Sequence, residues 1–111
     1  MYVKQRTREM SEITSLAEID VTCVLHALAD PVRLDMVRQL AECTTGALRC
    51  GQLSMPVTKS TASHHIKTLV HAGIVAERAE GTCKNLSLRK DELDQRFPGL
   101  LDSVLRSTTA P

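Results

Sequence analysis

The run VTKSTASHHIKTLVHAGIV, Val57 to Val75, concentrates hydroxyls, lysines and histidines in one short segment. Side chains of these types could ligate a metal, move protons, or bond the phosphates and base edges of a nucleic acid. Cys23, Cys43, Cys50 and Cys83 add thiol chemistry. Which chemistry these groups can do depends on the elements that hold them.

At 100° per residue, a helix over Ser60 to Ala72 sorts the run into two arcs. Ala62, Ile66, Leu69 and Val70 share the apolar arc. Ser60, His64, Lys67 and His71 share the opposite one, with Ser63 at its edge and His65 on the boundary. Thr58 or Ser60 can cap the helix start, and Gly73 fits the position after its last turn. One exposed polar stripe therefore opposes one core-facing stripe.

The flanking elements follow from the same reading. Leu16, Ile19, Cys23, Val24 and Leu28 fall near helical spacing, which predicts a first helix from about Leu16 to Ala29. Asp30-Pro31 ends it and opens a second, PVRLDMVRQLAE, since Asp caps well and Pro is tolerated at the first helical position. Arg33 and Arg38 are expected to lie outward, with their stems on apolar surface. CTTGALRC reads as a loop, Gly51 to Ser54 as a short helix, and Met55-Pro56-Val57 as a turn. After Gly73 the period becomes alternating, so IVAERAEGTCKNLSLR predicts a β-hairpin with a polar tip over Glu80 to Lys84. Phe97, Leu100, Leu101, Val104 and Leu105 predict a last helix, with Pro98 at a fresh start. The expected fold is mainly α with a small β-hairpin (α+β): a winged helix-turn-helix. A polar arm over 1–14, a domain over 15–106 and a disordered tail over 107–111 complete the division.

Composition narrows the function. The 111 residues make one domain, and 42% hydrophobic with only 2% aromatic residues demands an aliphatic core, which suits packed helices. A net charge of +1 excludes a strong global field, so a nucleic-acid site must be a local basic face. No apolar run is long enough for a membrane span and no signal peptide opens the chain, so a cytoplasmic location with reduced thiols is expected. Ser60 and His64 are spaced i, i+4 and could touch. No acidic orienter lies nearby and there is no strained nucleophile elbow, so the chain does not read as an enzyme and no cofactor is expected.

A recognition helix needs small donors and a few cations on its outer face, because bulk would hold its backbone away from the major groove. Ser60, Thr61 and Ser63 can bond phosphates or base edges near the helix start, while His64 and Lys67 lie one turn deeper. Lys59 before the helix, and Arg78 and Lys84 on the hairpin, suit phosphate or minor-groove contacts. The main partner expected is double-stranded DNA. The rival is a winged-helix interaction module that has lost DNA binding, whose stripe would be acidic or apolar.

LADPVRLDMVRQL, STASHHIKTLVHAGIV and the hairpin carrying EGTCKNLSL resemble the ArsR/SmtB family of winged-helix repressors. That family carries a similar Leu-x-(Asp or His)-Pro-x-Arg junction, matched by Asp30-Pro31 with Arg33. It also carries a similar Ser-x-x-Ser-x-His-Leu recognition helix, matched by Ser60, Ser63, His65 and Ile66. The resemblance covers about Leu25 to Leu88. It implies a homodimer formed by the first and last helices, repression, and a two-fold-related operator. The family's Cys-x-Cys metal pattern before the turn is not met, since that segment holds only Cys50. Its Asp/His pattern on the last helix is not met either, since Asp91 to Arg106 holds no histidine. A metal effector is left unassigned. Cys43 and Cys50 bracket a six-residue loop, and a disulfide there, or a metalloid bound with Cys23, would pull the second helix toward the recognition unit. His65 is expected to be packed and to donate a hydrogen bond inside the motif.

Overall fold

The computed structural model of the chain describes residues 15–43 and 47–109. The arm expected over 1–14 lies outside the described residues. A 3-10 turn at Leu16–Glu18 leads into α1, Val21–Leu28, whose N-cap Asp20 accepts from the Cys23 N–H. α1 is thus shorter than its apolar spacing predicts, because Asp20 captures the backbone where a continuous helix would have to pass. Asp30 then caps α2, Pro31–Glu42, accepting from Val32 N at 2.8 Å and Arg33 N at 3.1 Å. Pro31 occupies the first turn, where its missing N–H costs nothing.

The segment after α2 departs from expectation. Ala47–Arg49 is a strand, β1, and the short helix expected over Gly51 to Ser54 is a single 3-10 turn at Cys50–Gln52. β1 adds to the hairpin, so the wing is a three-stranded antiparallel sheet in the order β1-β3-β2. Leu48 stands opposite Leu86, which explains why so short a segment pairs: its one large apolar residue packs against the core. The turn toward the next helix is locked from α2. The Gln39 amide donates to Ser54 O at 2.7 Å and accepts from Ser54 N at 3.0 Å.

α3 spans Lys59–His71 with Thr58 as N-cap. It ends in a left-handed Gly73, φ 85°, with Gly73 N bonded to Val70 O and Ile74 N bonded to Leu69 O. That pair of bonds closes the helix and turns the chain into β2, while Leu69 and Ile74 pack together as the motif requires. β2, Val75–Glu80, pairs with β3, Cys83–Leu88, from Val75↔Leu88 to Glu80↔Cys83. The hairpin tip is therefore the two residues Gly81-Thr82, tighter than expected, and Gly81 at φ 64° supplies the positive φ that such turns need. α4, Lys90–Arg96, and α5, Leu100–Thr109, close the chain. α5 continues to Thr109, three residues past the expected domain boundary at Arg106, and residues 110–111 lie outside the described residues.

Val24, Met36, Val37, Leu40, Ile66, Leu69, Ile74 and Leu86 form one aliphatic core from α1, α2, α3 and the sheet. Helix, helix, turn, recognition helix and three-stranded wing make a winged helix-turn-helix α+β fold.

Candidate nucleic-acid interface

The buried face of α3 consists of His65, Ile66, Leu69 and Val70. Its opposite face exposes Lys59, Ser60, Thr61, Ser63, His64, Lys67 and His71. Ser60, His64, Lys67 and His71 therefore run as one stripe along roughly 16 Å of helix axis. The start of the stripe is ordered by its cap: Thr61 N donates to Thr58 Oγ1 at 3.2 Å, and the Thr58 hydroxyl donates to Thr61 Oγ1 at 3.1 Å.

The stripe is held in place from behind. Arg33 was expected to point outward, yet it is only 9% exposed. Its Nε donates to Ala27 O at 2.7 Å and its Nη1 lies 3.1 Å from His65 Nδ1. The cause is the end of α1, whose last carbonyls need donors that water cannot supply there. His65 is packed as expected, but its bond runs the other way. Arginine only donates, so Nδ1 accepts and the ring proton sits on Nε2. One guanidinium thus ties α1, α2 and α3 together. The Asp30 carboxyl beside it is held below the usual carboxylate range, chiefly by the Arg33 N–H and further by the Val32 N–H, against the opposing effect of burial.

The pleat divides the wing cations. Arg78 faces Asn85 on the outer side of the sheet, while Lys84 lies on the side of Glu77 and Leu86. Lys84 Nζ is 3.6 Å from Glu77 Oε2, so its charge already has a partner. Sequence reasoning missed Arg49. It is exposed on β1 and stands opposite Asn85, in one row with Arg78. The two guanidinium-bearing residues are two strand spacings apart, roughly 10 Å. The signal was an inward Leu48 between Ala47 and Arg49, too short to read as alternation.

The three described thiols of Cys23, Cys43 and Cys83 stand on different elements: α1, the end of α2 and β3. Cys43 Sγ donates to Ala47 O at 3.3 Å. Of the six residues that a Cys43–Cys50 bond would enclose, 44–46 lie outside the described residues and Ala47–Arg49 form β1. Among the described residues no group of three or more His, Cys, Asp and Glu side chains is placed to hold a metal ion. Among them, too, no helix is long and apolar enough to cross a membrane.

The sequence matches known proteins. Residues 28–78 match a family model described as a helix-turn-helix domain, a span running from the end of α1 into β2. The chain is also 34% identical over 106 residues to a Bacillus subtilis (strain 168) protein named "Uncharacterized HTH-type transcriptional regulator YceK". That alignment covers 94% of this chain and 100% of the relative. The exposed stripe on α3 lies inside the matched domain, on the helix that such a fold presents to DNA. The chain belongs to the helix-turn-helix transcriptional regulators, which are DNA-binding proteins and not a family of enzymes.

Proposed function

We propose that the protein is a homodimeric repressor of the ArsR/SmtB type, reading a two-fold-related operator through α3 and the wing. The observation that carries this reading is the α3 stripe. Ser60, His64 and Lys67 are exposed hydrogen-bonding groups, and are opposed by a buried face that fixes their direction. Ser60, Thr61, Ser63, His64 and Lys67 serve base edges and phosphates in the major groove. Lys59, Arg78 and Lys84 bind phosphates or the minor groove and supply salt-dependent affinity.

Dimerisation is supported by apolar surface at the two ends of the chain. Val21 and Leu25 on α1 are 41% and 48% exposed. Leu100, Val104 and Leu105 on α5 are only partly buried against the core. A second copy would cover both sets with a self-complementary face. Release of DNA by thiol chemistry at Cys43 and Cys50, with Cys23 as an added metalloid ligand, remains part of this reading. Its support is position: Cys43 bonds the first residue of β1, so a change there would act on the wing.

The test is binding of the reduced dimer to DNA from immediately upstream of its own gene, alongside selection from a random duplex pool. Tight binding that weakens steeply with salt and protects a palindrome is expected. A pool that yields no enriched sequence would instead favour the winged-helix interaction module. Repeating the titration after mild oxidation, with Cys43→Ser and Cys50→Ser in parallel, tests the thiol component.

A further inference from the structure

We infer that the groove between α1 and α3 is a binding site for a small organic anion with an apolar body, whose occupancy excludes DNA. The competition rests on the α3 reading above; the site itself does not. The groove has a volume of about 570 Å³, within the range of small-molecule pockets. α1 contributes Cys23 and His26 to it, and α3 contributes His64, Lys67 and His71. Its lining surface is mostly carbon, with Thr22 adding a hydroxyl from α1. Ala72 is part of it, and the Thr68 hydroxyl is turned back onto its own helix, donating to His64 O at 3.1 Å.

The occupant's chemistry follows from this lining. Lys67 is a cation and the His26 and His64 imidazoles can donate N–H bonds, while none of the described residues lining the groove is a carboxylate. A carboxylate or sulfonate on the ligand is therefore matched at the rim. An apolar ring system is matched by the carbon lining. A DNA phosphate alone would leave that lining uncovered. A metal ion would need converging ligands, and the described residues hold no such set.

The groove is also separate from the apolar surface proposed for dimerisation. On the α1 wheel Cys23 and His26 lie about 120° or more from the midpoint of Val21 and Leu25, and Thr22, at the near edge of the groove, about 80° from it. A second copy on the Val21 side leaves the groove open. Occupancy then acts on DNA in two ways. It places a body beside the recognition stripe, and it sets an anion against Lys67 and His64, two groups that DNA phosphates and bases would otherwise engage.

The experiment uses the full-length reduced protein, 2-naphthoate as a fluorescent probe and its neutral amide as control. The variants are Cys23→Phe, which fills the groove from an exposed position, and His26→Ala. Saturable binding of naphthoate is expected, weakened about tenfold or more by Cys23→Phe and by replacing the carboxylate with the amide. Naphthoate should displace a labelled duplex from the wild type at concentrations that leave the Cys23→Phe complex intact. Absence of saturable binding up to several millimolar overturns the inference, as does equal binding of the amide or equal binding by Cys23→Phe. Undiminished naphthoate binding to duplex-saturated protein overturns the competition. Naphthoate binding that depends on Cys23 and His26, in a protein that binds no duplex, sustains the site and overturns the DNA reading instead.

Discussion

Arg33 Nη1 on α2 lies 3.1 Å from Nδ1 of His65 on α3, and both residues are buried. The Arg33 fork also donates to Ala27 O and His26 O at the end of α1. The recognition helix is therefore oriented by a contact on its hidden side. Removing the guanidinium takes the donor from Ala27 O and His65 Nδ1, at a cost of about 1–3 kcal/mol for each, while His26 O keeps the Ala29 N–H. Arg33→Ala is expected to lower the unfolding free energy in urea by about 2–4 kcal/mol. Arg33→Lys should recover only part of it, because an ammonium cannot bridge the same acceptors as a planar fork. A loss no larger than that of an exposed arginine would remove this role.

Acid sensitivity follows from the α2 cap. The Asp30 carboxyl is held below its ordinary range, first by the Arg33 N–H. Asp35 is held down chiefly by its bond to Arg38, and Glu92 by its bond to Arg89. Each folded value lies below the unfolded one. Their stabilisation is therefore complete above the ordinary carboxylate range, about pH 4, and is lost as pH falls through the folded values. Asp30→Asn keeps a cap acceptor but cannot ionise. Its stability at neutral pH should fall by no more than about 1 kcal/mol, with a shallower acid limb than the wild type. Parallel acid limbs would show that Asp30 contributes nothing to the pH dependence.

Gly73 is the hinge between reading helix and wing. A Cβ there would sit 2.6 Å from Ile19 Cγ1, and its φ of 85° is one that side chains rarely adopt. Left-handed backbone alone costs about 1–2 kcal/mol for an L-residue. Ile19 is 1% exposed and has nowhere to move. Gly73→Ala should therefore destabilise by more than the backbone cost. The double variant with Ile19→Ala should lose less than the two single losses summed, since the clash is then gone. Additive losses in thermal unfolding would mean that the neighbour yields freely.

The wing cations should differ in DNA binding. Arg49→Ala and Arg78→Ala are each expected to weaken binding across all sequences and to reduce the slope of log K against log salt by about 1. Lys84→Ala should do less, because Glu77 already neutralises that charge at 3.6 Å. Glu77→Gln should strengthen binding by freeing Lys84. Equal slopes for the wild type and both arginine variants would take the outer face of the wing out of the interface.

Much of this was legible in the chain itself. The two arcs of α3 follow from residue order alone, because helical periodicity is local and Ile66, Leu69 and Val70 have no other way to reach a core. The Asp30-Pro31 cap, the left-handed Gly73 and the β2–β3 hairpin are equally local: each depends on a few adjacent residues and their backbone preferences. Apart from the shorter α1, the tighter hairpin tip and the longer α5, the features that were misread depend on partners far along the chain. β1 exists because Leu48 meets Leu86, and Arg49 thereby joins Arg78. Gln39 locks Ser54 from fifteen residues away, so the short helix shrinks to one 3-10 turn that ends before Ser54. Arg33 looked like a surface residue because its neighbours suit one. Only the close approach of α1 and α3 strips it of water and supplies the three acceptors that hold it. The sequence by itself determined which face of the recognition helix points outward. The tertiary structure decided what that face stands beside: a buried arginine behind it, a cationic row across the wing and a groove against α1. Those are relations between elements, and a periodicity within one element cannot encode them.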